Sequence, residues 1–396
     1  MDNTSSMQCN PLGADVTSQP RPSSVLHIGK YYWPQVGGIE SHLRDLVRMQ
    51  SGRLEVKALV ANNSVRSQEQ QTDGASVTRV ANFGTIASMP ITPTLPWDVA
   101  RRKADIVHVH LPNPWAALAV LLSRHKGKIV VTHHGDTIGR ESLRKISDPI
   151  VAAFMRRASA IIVSSDRYMN SSEELAPFRA KCHIVPLGLD ATPFETADPD
   201  AVSRIRARYG DKIILSVGRL VPYKGVTYLI GSMKSVDACL LHIGSGPLAT
   251  ELLQQAKNAG ISKKIHLLGK VDDLAPYLHA ATMFVLPSIT RAESFGIVQL
   301  EAMAAGLPII NTDIDSGVPE VSLHGLTGRT VLPEDSERLA SAINLLLHDK
   351  EMRQRFGEAA RLRVRREFSI ERMAEQTLAV YEKVLSSLSL QTLGKA

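Results

Sequence analysis

Residues Arg291 to Pro308 read RAESFGIVQLEAMAAGLP, with two carboxylates, Glu293 and Glu301, eight positions apart around a Ser-Phe-Gly turn. From Gly296 onward, Ile297, Leu300, Met303 and Ala304 recur at helical spacing, which predicts a helix with one apolar face. Glu293 then falls in the loop before the helix and Glu301 in its second turn. Between them lie the backbone N–H groups of Phe295, Gly296 and Ile297, and a helix start of this kind attracts anions. Two acids beside an anion site suit a ligand that carries both phosphate and hydroxyls. A capped surface helix with solvated glutamates would show the same letters.

Cations stand upstream. Val217-Gly218-Arg219-Leu220-Val221-Pro222-Tyr223-Lys224-Gly225 follows a strand-like run. A guanidinium at Arg219 binds phosphate bidentately and an ammonium at Lys224 binds it as a point charge, so together they suit a diphosphate. The pattern is no Walker A, because G-x-x-x-x-G-K-[ST] is missing. Gly37-Gly38 lies between the first strand and its helix, where glycines let a backbone approach a ligand at a helix N-terminus. A tight strand-to-helix turn would use the same pair. G-x-G-x-x-G is absent, which removes the main support for a dinucleotide enzyme. Gly244-Ser245-Gly246-Pro247 is another strand-end loop, and Gly317-Val318-Pro319-Glu320 reads as mainly structural.

Histidines cluster at strand ends: His108 and His110 on one strand, His133 and His134 at the end of the next. Alternation puts His108 and His110 on one sheet face. With Asp136 they could chelate a metal; hydrogen bonding to a polar substrate is the preferred reading. Ser-His-Asp order, G-x-S-x-G and H-E-x-x-H are all absent.

The elements that must position these residues alternate in type. Strands are expected at Val25–Ile28, 54–61, 77–81, 104–110, 128–132, 160–164 and 181–185, with a helix from about Ile39 to Met49 and another from Trp115 to Ser123. Residues 190–200, DATPFETADPD, read as a linker. The pattern restarts with strands at Ile213–Val217, Cys239–Ile243, 265–268 and 283–286, helices between them, and late strands at 308–311 and 330–331. Strands alternating with helices imply an α/β fold with parallel sheets covered on both faces, and ligands at the carboxyl ends of the strands. The expected architecture is two Rossmann-like, doubly wound halves facing a central cleft. Its divisions are a disordered leader at 1–23, domains at 24–195 and 196–370, and a C-terminal helix at 371–396.

Length supports two domains, since 396 residues exceed what one core usually serves. The 44% hydrophobic and 21% charged content is that of a globular protein, with no apolar run of spanning length. The N-terminus has neither a basic start nor an apolar stretch, so no signal peptide is expected. Cys9, Cys182 and Cys239 lack C-x-x-C spacing, which fits a reducing cytoplasm and argues against a zinc site. The net charge of +7 is concentrated in the first half, where residues 1–190 hold 22 Lys and Arg against 16 Asp and Glu. Clusters at Arg101-Arg102-Lys103, at Arg140, Arg144 and Lys145, and at Arg156-Arg157 could meet anionic lipid or simply be solvated. With only 5% aromatics there is no stacking platform for nucleic acid.

In their order and spacing these motifs resemble the retaining glycosyltransferases of family 4, which have the GT-B fold. The resemblance runs from Val25 to about Ser387 through Gly37-Gly38-Ile39-Glu40, the strand ending at His110, Thr132-His133-His134-Gly135, Pro186-Leu187-Gly188-Leu189-Asp190, Gly218-Arg219 with Lys224-Gly225, Gly244-Ser245-Gly246-Pro247, and Glu293 to Glu301 ending in Ala305-Gly306-Leu307-Pro308. It implies that the second domain binds a nucleotide-diphosphate sugar and the first binds the acceptor. By this resemblance Glu301 holds the ribose, Glu293 holds the transferred sugar, and Arg219 and Lys224 hold the diphosphate. Backbone amides of Phe295, Gly296, Ile297 and Gly38 complete the cradle, with Gly37 and Gly244 beside it. His134 lies by the reacting sugar; His110 and His133 fall on the acceptor side, although His133 stands where the family is often apolar. Ile370–Val384 is the candidate for a helix crossing back onto the first domain.

The implied chemistry is retention at the anomeric carbon without a metal or other cofactor, the leaving phosphate accepting the acceptor's proton. The implied acceptor is a glycan or polyprenyl-diphosphate-linked oligosaccharide in cell-surface polysaccharide synthesis. The donor sugar would be mannose or rhamnose, and attachment to the inner face of the membrane peripheral. A nucleotide-sugar 2-epimerase and a non-catalytic sugar-nucleotide binder are the alternatives.

Overall fold

Unbroken runs of Val, Ile and Leu a few residues long have no polar face to give to water, so they must be covered on both sides. A computed structural model describes residues 22–35, 37–86, 89–136 and 141–393, side chains at 141–144, 146 and 387–393 excepted. In it these runs become the inner strands of two sheets. Residues 1–21 of the expected leader, Arg140 and the side chain of Arg144 lie outside the described residues.

The first half holds β1 (Ser24–Ile28), β2 (Glu55–Ala61), β3 (Gln68–Thr72), β4 (Ala75–Val80), a two-stranded hairpin of β5 (Thr85–Ile86) and β6 (Met89–Pro90), β7 (Ile106–Leu111), β8 (Lys128–His133), β9 (Ala160–Val163) and β10 (Cys182–Ile184). Its main sheet runs β10-β9-β8-β7-β1-β2-β4-β3. The second half holds β11 (Ile213–Val217), β12 (Cys239–Ile243), β13 (Ile265–Gly269), β14 (Met283–Leu286), β15 (Ile309–Thr312) and β16 (Gly328–Val331), in the order β13-β12-β11-β14-β15-β16. Strand order reverses between β1 and β7 in one sheet and between β11 and β14 in the other. Those reversals open crevices at the carboxyl ends of the strands, and the candidate residues flank both.

Three expectations are corrected. The first sheet is not wholly parallel: β3 pairs antiparallel with β4 through Asp73-Gly74, whose φ values of 52° and 77° make the two-residue hairpin turn that suits strand twist. The expected linker carries helices at Thr192–Glu195 and, from its end, Pro199–Tyr209. The helix after Glu293 is Val298–Ala304, so Glu301 lies in its first turn, not its second. Gly296 has φ +72°, a left-handed conformation that keeps the helix from starting there.

The helical tail is two elements, Lys350–Glu367 and Ile370–Leu393. The second lies on the first sheet: Ile370, Met373, Tyr381 and Val384 share a buried cluster with Val25 of β1, Ile106 of β7 and Leu43 and Leu46 of the Gly38–Gln50 helix. The chain thus crosses between halves at two adjacent places. Leu189 N–H donates to Phe368 O at 2.8 Å, and a Cβ on Gly188 would stand 2.6 Å from Ser369 O.

Candidate active site

In the second half, three strand-end loops interlock by backbone contact. A Cβ at Gly244 would fall 1.9 Å from Gly218 O, and one at Gly225 2.0 Å from Pro287 O. Gly244 therefore acts by its lack of a side chain; its N–H is already donated to Gly269 O at 2.7 Å. This packing brings the loop after β11 against the loop after β14, and Lys224 Nζ onto Glu293 Oε2 in an ion pair. Ser288 Oγ donates to the same carboxylate at 3.0 Å. His242, which the sequence reading passed over, steadies the first loop from below through Nε2 and Gly218 O at 3.0 Å. Burial lowers its pKa to about 4.

Arg219 is exposed and makes no side-chain bond to any described residue. Neither does Glu301, a half-buried carboxyl whose pKa burial raises to about 7. The N–H groups of Phe295, Gly296 and Ile297 have no partner among the described residues. The Phe295 ring is buried, edge-on to Phe368 at 6.0 Å, so only its backbone is available to a ligand. Unpaired donors, a free guanidinium and a free carboxyl around one loop are groups awaiting partners.

The first half meets this loop from the other side. A Cβ at Gly135 would lie 3.9 Å from Ser294, and Arg291 Nε lies 3.2 Å from Asp136 Oδ2, an ionic contact without hydrogen-bond alignment. Tyr168 and Ser172 hold the other Asp136 oxygen, and Arg291 also donates to Ser171 O at 2.6 Å. Gly37 caps the Gly38–Gln50 helix with no side-chain bond, and Gly38 is exposed with open space around it. Arg291 was not among the expected site residues, and Asp136 was weighed only as a metal ligand. The sign-opposed pair on facing loops was the available signal.

His134 is next to Gly135 and 8% exposed. His110 and His133 do not reach the cleft with a free nitrogen. His110 is 1% exposed and bonded to His27 and to His134, each at 3.2 Å. His133 is also 1% exposed, with Nδ1 on Tyr168 Oη at 3.0 Å and Nε2 on Glu174 Oε2 at 3.2 Å. Their expected contact with an acceptor is corrected: both rings spend their bonding capacity inside the first half. In the basic clusters, Arg101 and Arg102 are tied to Asp98 at 2.7 and 3.3 Å, leaving Lys103, Arg156 and Arg157 exposed.

Residues 36–192 match the family Glycosyltransferase Family 4, and residues 200–363 match Glycosyl transferases group 1. The chain is 28% identical over 375 residues to O-antigen chain mannosyltransferase C of Escherichia coli, covering 92% of this chain and all of that one. It is 30% identical over 269 residues to D-rhamnosyltransferase WbpZ of Pseudomonas aeruginosa, covering 67% and 70%. Sucrose-phosphate synthase of Thermosynechococcus elongatus shares the fold with a TM-score of 0.77 at 21% identity, over 92% of this chain and all of that one. Two mainly parallel sheets facing across a cleft, with these matches over both halves, place the chain in family 4 of the glycosyltransferases, enzymes of the GT-B fold.

Proposed function

We propose that the protein transfers a manno-configured hexose, mannose or its 6-deoxy relative rhamnose, from a nucleoside-diphosphate donor to a hydroxyl of a glycan or lipid-linked oligosaccharide, with retention. The observation that carries the site assignment is the set of unpaired or exchangeable groups around the loop after β14. They are Arg219, the Lys224–Glu293 pair, the three amides from Phe295 to Ile297, and Glu301. Arg219, Lys224 and the amides would take the diphosphate, Glu301 the ribose and Glu293 the sugar hydroxyls. His134 and Gly38 approach from the acceptor side. The sugar follows the names of the two relatives, one a mannosyltransferase and one a D-rhamnosyltransferase.

In the step itself the bond from the anomeric carbon to the leaving phosphate oxygen breaks, and the acceptor oxygen bonds on the same face. The acceptor's proton passes to that phosphate oxygen. Arg219, Lys224 and the amides stabilise the charge on the leaving diphosphate, which gives the work of a divalent metal to protein groups. Neither glutamate need act as a covalent nucleophile. Closure of the halves would exclude water and align the two substrates.

No helix among the described residues is long and apolar enough to cross a membrane. Access to a lipid-linked acceptor is proposed through peripheral contact of the first half. Trp97, 66% exposed, and exposed Lys103 lie near one another in the chain on that half. Flotation with anionic vesicles that fails at low salt would remove this part.

A panel of nucleotide sugars, with and without acceptor lipid extract and with a chelator, tests the whole reading. Acceptor-dependent nucleotide release from a GDP-manno sugar, unaffected by the chelator, is expected. Epimerisation without acceptor, binding without turnover, or chelator-sensitive transfer would each overturn it.

A further inference from the structure

Five histidines from β1, the Gly38–Gln50 helix, β7 and the loop after β8 are buried together at the strand reversal of the first sheet: His27, His42, His108, His110 and His134. Four of them form one continuous hydrogen-bonded line with Gln50 and Tyr381. From the cleft inward, His134 Nε2 meets His110 Nδ1 at 3.2 Å, His110 Nε2 meets His27 Nδ1 at 3.2 Å, and His27 Nε2 meets Gln50 Oε1 at 2.8 Å. Beyond the amide, Gln50 Nε2 donates to Tyr381 Oη at 3.4 Å. Tyr381 Oη meets His108 Nδ1 at 2.5 Å, and His108 Nε2 meets Thr132 Oγ1 at 2.6 Å.

With the Gln50 oxygen toward His27, the line runs in one direction. Burial holds these imidazoles neutral, lowering His27 to about 4 and His108, His110 and His134 well below the usual value. A neutral imidazole has one donor and one acceptor nitrogen. The Gln50 oxygen only accepts, so His27 Nε2 carries the hydrogen and its Nδ1 accepts. His110 must then donate from Nε2, and His134 in turn from Nε2. On the far arm the Gln50 NH2 donates to Tyr381, whose hydroxyl donates to His108, which donates to Thr132. One amide, placed at the end of the Gly38–Gln50 helix, sets the direction of both arms; turned over, it would reverse every bond.

Along the line the rings meet nitrogen to nitrogen in pairs, and one nitrogen each of His27, His108 and His110, and likewise of His42, His110 and His134, lies within 4.8 Å of the others. In both the His27–His110 and the His110–His134 pair the centroids are 5.5 Å apart, the nitrogen separation plus a ring radius at either end. In these two pairs the nitrogens therefore face each other, as hydrogen-bonded imidazoles do. His42 packs edge-on against His110 and His134 with both nitrogens unpartnered, walling the line without joining it.

We propose that Gln50 is a positioning residue for His134: through His27 and His110 it holds that ring in the Nε2–H tautomer, so that Nδ1 accepts a hydrogen bond from a hydroxyl of the bound sugar. His134 Nδ1 has no partner among the described residues. This rests on the placement of His134 beside the sugar given above.

Long-range proton–nitrogen correlation spectra of the full chain, labelled in histidine, test it directly. His27, His110 and His134 are expected as Nε2–H tautomers. Gln50→Met removes the anchor and is expected to mix the His134 tautomers and lower kcat about tenfold, with donor KM nearly unchanged. Tyr381→Phe cuts only the far arm; it is expected to lower Tm while leaving the His134 tautomer and kcat as they were. An Nδ1–H tautomer at His134 would overturn the proposal. So would equal kcat losses in both variants with an unchanged His134 signal, or stoichiometric zinc bound across the rings. Absence of transfer with every donor would overturn the reading of the cleft alone, because the spectra decide the tautomer without turnover.

Discussion

Lys224 and Glu293 form an ion pair across two loops, with their side chains 13% and 12% exposed. Each is the other's counter-ion, and under the proposed function the donor would replace both halves at once, its diphosphate taking the ammonium and its sugar hydroxyls the carboxylate. Glu293→Gln is expected to lower kcat by about 10²–10³-fold, the usual cost of one transition-state contact. GDP binding by calorimetry should hold or tighten, because Lys224 no longer has a competitor. Lys224→Met is expected to weaken both. Equal losses of GDP affinity in the two variants would contradict the exchange.

Arg219 has no side-chain partner among the described residues to lose, so its substitution separates function from stability. Arg219→Lys keeps the charge and removes the fork that grips a phosphate with two bonds. An expected fall of about tenfold or more in kcat/KM corresponds to about 1.4 kcal/mol or more of transition-state binding. Tm should stay within about a degree. A variant with full activity would take Arg219 out of the diphosphate site.

Burial raises the carboxyl of Glu301 from 4.5 to about 7. An acid with a raised pKa binds its proton more tightly when folded, so stability falls as pH rises from about 4.5 to 7 and levels above that. Glu301→Gln should therefore raise Tm at pH 8 and change it little at pH 4.5. The gain has a limit of about 3 kcal/mol, lessened by the water that reaches this half-buried group. The proposed ribose contact would need the ionised form, so donor KM should rise as pH drops below about 7. A flat donor KM from pH 8 to 5.5 in the unaltered chain would argue against the ribose contact.

The buried histidines predict acid sensitivity of the first half. With pKa lowered to about 4 at His27 and about 3 at His42, the unfolded chain takes protons below pH 6.5 that the folded chain refuses. Stability is unaffected above that pH and is lost progressively as pH falls from about 6.5 toward 4. His42→Leu removes two buried unpartnered nitrogens and should stabilise by about 1–2 kcal/mol at pH 7, with a shallower acid limb. Thermal melts between pH 4.5 and 8 read both effects; a lower Tm at pH 7 would show that His42 is satisfied in solution.

Much of this was legible because each inner strand is a short, mainly apolar run that leads into a loop of Gly, His or charged residues. β3 was not, since Gln68–Thr72 contains no apolar residue; only Asp73-Gly74 marked its turn. Candidates for the cleft could be proposed from the loops at strand ends. Their mutual contacts could not: Lys224 and Glu293 meet because glycine packing at Gly225 and Pro287 joins two distant loops. Alternation told which face His110 occupied but not its depth, and depth decided whether it had a nitrogen to spare. His27, His42, Gln50 and Tyr381 come together only when a strand, two helices and the far end of the chain are assembled.

Tyr381 is fully buried, in a cluster with β1, β2 and β7, although more than 350 residues of chain separate it from β1. During synthesis the first half emerges early but lacks one wall of its core until the last helix is made. The second half has no such debt and can complete its own core sooner. The first half should thus be the later to gain protection in folding, with contacts of very long sequence separation closing last. Expressing residues 22–195 alone leaves an apolar face and the buried histidine line open to water, so chain order and folding order run in opposite directions.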